Sequence, residues 1–291
     1  MSTNPPPRLY PVLSLVVGAC LWGVIWYPMR RLEALGLSGI WLALIIYATA
    51  LVASLPRTYT AFAEFRRYPG ALALLMVAAG WTNVAFVEAV LEGNILRVLL
   101  LFYLAPLWAT LMGRLVLRER ISHLALLSLG LAMGGALAML WDPRLGAFLP
   151  RGRADWLALS SGFAFALSNV IVRKMQQASL AAKVCAVWSG VVVVAAAMIA
   201  LFAPPVPSLT GAALSGAVAL GLFGIMAMTV LVQYGVTHMP VHRSAVIALV
   251  EIVAGAASQQ LLTDEIVTAR EWAGGALIIV GAYLAARASA R

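Results

Sequence analysis

Charge is what this sequence has least of. Only 11% of its 291 residues are Asp, Glu, Lys or Arg, where a soluble domain carries about 25%. With 63% hydrophobic residues and a mean hydropathy of +0.95, that scarcity excludes a water-soluble globular domain and leaves an integral membrane protein. The net charge of +9 does not point to nucleic acid. The surplus Arg sits in short loops between apolar runs, where it sets orientation.

Other shortages narrow the chemistry. There are two cysteines, Cys20 and Cys185, both inside apolar runs, so neither a disulfide framework nor a thiolate metal site is available. The three histidines are His123, His238 and His242. Pro240 separates the last two, no third ligand is near, and the H-E-x-x-H helix of a zinc hydrolase is absent. Ser160, Ser161 and Ser168 have no neighbouring His to activate them. No G-x-G-x-x-G follows a strand pattern and no P-loop occurs, so this chain does not read as a nucleotide-driven pump. Val17-Gly18-Ala19-Cys20 faintly matches a lipoprotein cleavage box, but the apolar run continues well past Cys20, unlike the short core of a signal peptide. No enzyme activity, cofactor or metal is expected.

What the chain has is apolar runs of membrane-spanning length. The expected spans are Leu9 to Met29, Ala34 to Pro56, Pro69 to Glu92, Val98 to Gly113 and His123 to Trp141 in the first half. A loop from Arg57 to Tyr68 separates the second and third. In the second half they are Ala154 to Val172, two helices within Val184 to His242, then Val241 to Leu262 and Glu271 to Ala286. Val184 to His242 contains no Asp, Glu, Lys or Arg. It is too long for one helix of about 20 residues and is divided by Pro204, Pro205 and Pro207. The expected fold is therefore an all-α membrane protein of ten transmembrane helices.

Basic residues give the orientation. With the N-terminus cytoplasmic, thirteen of the 20 Lys and Arg fall inside, among them Arg66, Arg67, Arg114, Arg118 and Lys183, and seven outside. That bias places both termini in the cytoplasm. Arg30 and Arg31, at the outer end of the first span, run against it.

The halves share a faint repeat. A shift of 146 residues sets Arg97 on Arg243, Leu115 on Leu261 and Glu119 on Glu265, and a shift of 144 sets Gly18 on Gly162. Five spans per half is odd, so the second unit, 146–291, must insert inverted relative to the first, 1–145. Transporters built this way hold substrate between the repeats near the midplane and rock one unit against the other.

The stretches ACLWG (Ala19 to Gly23), LAPLWATLMGRLVLRERIS (Leu104 to Ser122) and LVEIVAGAASQQLLTDEIV (Leu249 to Val267) resemble the drug/metabolite transporter superfamily, in its EamA-type ten-helix branch. Within it the Trp-rich sequence is most similar to the bacterial aromatic amino-acid exporters. The resemblance implies a secondary transporter of the bacterial inner membrane that exports amino acids, aromatic and other neutral ones, through a cavity lined by helices 1, 3, 4, 6, 8 and 9. Other metabolite or multidrug export, or a non-transporting receptor or assembly protein on the same fold, are the alternatives. A monomer suffices, with the bilayer and a small-molecule substrate as partners and no nucleic acid. Glu251-Ile252 departs from the Glu-Pro common in the family, and Asp264-Glu265 from Gly-Glu. These departures weaken any expectation that the two halves bend alike, and the expected bend is at Pro106.

Candidate substrate contacts follow from cost. An ionised group mid-membrane is expensive, about 2.5–3.5 kcal/mol on insertion scales, and marks function. Glu251, about ten residues into its helix, is the leading candidate for an ammonium or a proton. Glu88 lies near the outer end of helix 3. Glu92 is expected to pair locally with Arg97, and Glu119 and Glu265 are expected to pair with Arg or cap helices. Aromatic and amide residues within spans complete the set: Trp26, Trp81, Tyr103, Phe165, Asn169, Gln233 and Tyr234, which could stack on an aromatic substrate or attract an ammonium. Glycines of helices 5 and 10 (Gly130, Gly134, Gly135; Gly274, Gly275, Gly281) are expected to brace neighbouring helices. Pro106 is the candidate hinge.

Overall fold

The computed structural model describes residues 9–37, 39–142, 149–264 and 266–287, and among them every regular element is helical. In a membrane only helices and closed barrels satisfy their backbone groups internally. The helices are α1 (Leu9–Val24), α2 (Trp26–Ala34), α3 (Gly39–Thr58), α4 (Phe62–Arg67), α5 (Pro69–Glu92), α6 (Ile95–Phe102), α7 (Ala105–Val116) and α8 (His123–Leu140). There follow α9 (Arg153–Lys174), α10 (Leu180–Phe202), α11 (Gly211–Ala219), α12 (Met226–His238), α13 (Val241–Ala248), α14 (Val250–Leu262) and α15 (Ala269–Arg287).

Nine helical segments among the described residues are long and apolar enough to cross a bilayer. Four are interrupted within the span: α1–α2, α6–α7, α11–α12 and α13–α14. The tenth expected span exists as the helix α15 but falls short of that measure, because Arg270 and Glu271 occupy its first turn. Its apolar body packs lengthwise on α8. Pro204 to Pro207 fall between α10 and α11 as expected. The expected loop from Arg57 to Tyr68 is instead mostly helical, with α3 running through Pro56 to Thr58 and α4 following. The first span runs five residues beyond Met29, to Ala34.

Helix starts are marked where local chemistry predicts. Asn94, Ser122, Ser179 and Thr210 each accept a backbone N–H from three residues on, capping α6, α8, α10 and α11, a contribution of about 1 kcal/mol apiece.

Packing relies on small residues, as it must where lipid is as apolar as the side chains. Gly135 and Gly274 bring α8 and α15 together so closely that a Cβ on Gly135 would lie 2.4 Å from the Gly274 carbonyl oxygen. Gly130 and Gly134, by contrast, face open space and brace nothing. Beyond this seam, α5 packs on α9 and α10, α1 on α12 and α14, α3 on α10, and α7 on α9 and α13. Large apolar side chains such as Phe223, 77% exposed, point outward, as a lipid-facing surface requires.

Candidate functional site

The interrupted helices set the site's geometry. Pro106 has no N–H to give the Phe102 carbonyl. The chain tightens there, with Leu104 N–H donating to the Leu101 carbonyl and Leu107 N–H to that of Leu104. The α9 helix leans onto the freed carbonyl at Gly162, where a Cβ would lie 2.4 Å from the Phe102 oxygen. The α13–α14 span is interrupted in the same way, although it has no proline at Ile252. Leu249 N–H donates to the Val246 carbonyl and Ile252 N–H to that of Leu249. The two interruptions, Leu104 and Leu249, are 145 residues apart, one off the repeat shift. No proline demands the second. Leu249, Val250 and Ile252 are buried in an apolar cluster with Leu15, Met139 and Ile278, so packing from neighbouring helices sets the backbone there.

These two interruptions meet. Tyr103, at the first, donates its hydroxyl hydrogen bond to Glu251 Oε1 at 3.1 Å. Glu251 stands in the first turn of α14, where the helix's positive end favours a carboxylate. Both side chains are half-buried. Gly23 of α1 closes the other side, since a Cβ on it would lie 2.4 Å from the Glu251 carbonyl oxygen. The hinge and the charge, expected on opposite halves, are thus neighbours across the halves. An aromatic cluster abuts them: Phe102 lies 5.3 Å from Tyr103, 4.9 Å from Phe86 and 5.7 Å from Phe165, centroid to centroid. Phe86 and Phe102 were not singled out in the sequence, where nothing distinguishes them from packing residues.

The other candidates do not join this cluster. Trp26 Nε1 donates to Ser258 Oγ at 2.9 Å and Trp81 Nε1 to Ser160 Oγ at 3.1 Å, so both indoles bridge neighbouring helices. Asn169 and Gln233 are both buried, each one turn before a residue of the Arg173–Thr237 contact between α9 and α12. The Gln233 Oε1 atom is buried without a hydrogen bond. Tyr234 stacks on His238 at 4.3 Å, at the end of α12. Glu88 is half-buried one turn from the end of α5.

Polar clusters close the bundle at both ends. At the face where α6 and α9 begin, Arg97 Nε pairs with the buried Asp155 at 2.7 Å and Arg97 also reaches the Leu149 carbonyl. Glu92 pairs with Arg153 at 2.7 Å, not with Arg97 as expected; α9 begins beside α6 and supplies the nearer partners for both. A cavity of about 480 Å³ opens at this face, lined by residues including Trp141, Asp142 and Arg270, away from Glu251. At the opposite face, Glu119 accepts the Val241 N–H and bonds His242 Nδ1 at 2.8 Å, with Arg173 Nε at 3.8 Å. Glu119 reaches α13 because the chain doubles back, its N–H donating to the Gly113 carbonyl with Arg118 at φ +56. Burial pushes the Glu119 carboxyl up, but the bonds from His242 and Val241 and the charges of His242 and Arg173 outweigh it and hold the group below its usual range. Lys183, placed by the sequence reading in a loop, is wholly buried in α10 with Nζ on Thr237 Oγ1 at 3.1 Å. Glu265 lies outside the described residues.

The comparisons agree with this architecture. Residues 152–287 match the EamA-like transporter family. An uncharacterized transporter of Pseudomonas aeruginosa is 29% identical over 114 residues, 39% of this chain and 35% of that protein, so the match spans about a third of the relative's length. A solved crystal structure superposes with a TM-score of 0.76 at 18% identity, covering 96% of this chain and 97% of that one, and shows the fold. The protein is a multi-pass helical membrane protein whose second half is similar to a transporter family.

Proposed function

We propose that this protein is a secondary transporter that exports amino acids, aromatic ones and other neutral ones, across the bacterial inner membrane by alternating access. The observation that carries this is the hydrogen bond from Tyr103 to Glu251. It joins the two interrupted helices at mid-span and brings a carboxylate beside the aromatic cluster on Phe102.

The reading takes the chain as two inverted five-helix repeats, 1–145 and 146–291, with α15 as the tenth span and both termini cytoplasmic. Its support is the pattern of neighbours. Counting spans from one to ten and advancing each by five turns the pairing of α5 with α9 into that of α12 with α1. It likewise turns the pairing of α6–α7 with α9 into that of α13–α14 with α1. Both partners are in contact in each case. The pairing of α8 with α15 maps onto itself. Rocking one repeat against the other would alternately part the Arg97–Asp155 and Glu119–His242 clusters, which tie the two faces.

The test is flux. Purified protein in liposomes should accelerate movement of labelled tryptophan, phenylalanine, threonine or methionine over empty vesicles. Equal rates for all four would refute amino-acid transport.

A further inference from the structure

The ionisable groups of this bundle are distributed unevenly with depth. Among the described residues, every Lys and Arg within a candidate span lies within five residues of that span's end. Several of them are engaged there: Arg97 with Asp155, Arg153 with Glu92, Arg173 with Glu119 and Thr237, Lys183 with Thr237, and Arg243 with the Ala285 carbonyl. Glu251 stands alone in the middle, eleventh of the residues in Val241–Leu262. Among the described residues, no Lys or Arg stands mid-span as Glu251 does.

Its local chemistry is equally one-sided. An ionised carboxylate offers about four acceptor sites, and Glu251 has one donor, the neutral Tyr103 hydroxyl. A half-buried mid-membrane charge compensated by one neutral hydrogen bond is under-paired and favours a cationic partner. Among the buried groups without a hydrogen bond, Gln233 Oε1 is an acceptor, while the indole N–H groups of Trp41, Trp108 and Trp188 are donors. Glu88, half-buried near the end of α5, has no hydrogen bond or ion pair among the described residues. Beside the Glu251–Tyr103 pair stand the rings of Phe102, Phe86 and Phe165. Such faces attract an ammonium as well as an aryl group.

From this we infer that the Glu251 seat takes arylalkylamine monocations, molecules with an aromatic ring and an ammonium but no carboxylate, and that Tyr103 occupies the seat until such an ammonium displaces its hydroxyl. The inference rests on the transport reading above but narrows it: the ammonium and ring are required, and the carboxylate of an amino acid is not. A zwitterion brings a negative group to a depth with no positive one, whereas the decarboxylated amine brings only what the seat lacks.

The experiment is calorimetric titration of the intact protein in detergent with three ligands sharing one ring: tryptamine, tryptophan and indole-3-propionate. The expected result is tryptamine binding at least as tightly as tryptophan, and indole-3-propionate showing no saturable heat. Tryptophan binding tenfold more tightly than tryptamine would overturn the inference and leave amino-acid transport standing. Tryptamine binding without tryptophan would uphold the inference and remove amino acids from the cargo. Heat from none of the three would overturn both. Glu251→Gln should weaken tryptamine at least tenfold, and undiminished affinity there would also overturn the assignment. The ligand comparison is made on the unaltered chain, so it decides the matter even if that variant does not fold.

Discussion

The cluster around Glu119 is where a single charge should control a large motion. Its carboxylate lies beyond the fourth span yet receives the first N–H of α13, the His242 ring and the approach of Arg173. Glu119→Gln keeps the shape and removes the charge. A bond to a charged acceptor is worth about 1.5–3 kcal/mol against about 1 kcal/mol for a neutral one, so losing the charge from two bonds costs about 2 kcal/mol. That energy favours only the conformation in which α7 and α13 touch. Its loss should shift the population by roughly 30-fold toward the state open at this face, at about 1.4 kcal/mol per tenfold.

Amide hydrogen exchange reads this directly, because the Val241 N–H is itself a donor to Glu119. The first turn of α13 should exchange roughly 30-fold faster in Glu119→Gln, by the same conversion, while α8 and α15 keep wild-type protection. Acid should act alike on the unaltered protein. The folded carboxyl titrates below the free value of 4.5, so its contribution is fully present above that pH and disappears as pH falls through the lower folded value. Wild-type protection of α13 in the variant, or protection lost well above pH 4.5, would refute a charge-based tie between the halves.

Three further outcomes follow from the same contacts. Pro106→Ala supplies the N–H that the Phe102 carbonyl lacks, adding about 1 kcal/mol to a straight helix; expression should be normal and transport slower, and unchanged rates would remove the hinge. Gly162→Ala drives a methyl into that same carbonyl and should cost about 1–3 kcal/mol, seen as a lower melting temperature in detergent; an unchanged melting temperature would show that α9 can retreat. Asp155→Ala leaves Arg97 in a largely buried site and should cost about 3 kcal/mol, whereas Glu92→Ala at the exposed Arg153 pair should cost under about 1 kcal/mol. Equal melting temperatures for those two would contradict the burial argument.

The helices were legible because apolar length is nearly sufficient to specify a span, and prolines and small polar caps punctuated them. Pairing between helices was much less so. Glu92 and Arg97 are close in sequence, which suggested an ion pair, but α9 begins beside α6 and supplies Asp155 and Arg153. Lys183 read as a loop residue because it precedes the uncharged run that opens at Val184; nothing local reveals that Thr237, 54 residues on, would receive its ammonium. Phe86 and Phe102 are invisible as site residues for the same reason. A phenylalanine in an apolar run carries no sign of which neighbour it will touch.

The interruption at Leu249 marks the deeper limit, and it bears on mechanism. At Leu104 the break is covalent in origin, since proline removes a donor and no rearrangement of the helix can restore it. At Leu249 every residue that would donate in a continuous helix still has its N–H. The break there persists because α1, α8 and α15 crowd Leu249 and Ile252 and because Glu251 is held across the gap by Tyr103. One half therefore carries a fixed bend and the other a conditional one. Whatever parts Tyr103 from Glu251 removes one of the two restraints on the conditional bend. Displacement of that hydroxyl by a substrate ammonium thus couples occupancy to the geometry of α13 and α14, and α13 begins at the Glu119 tie.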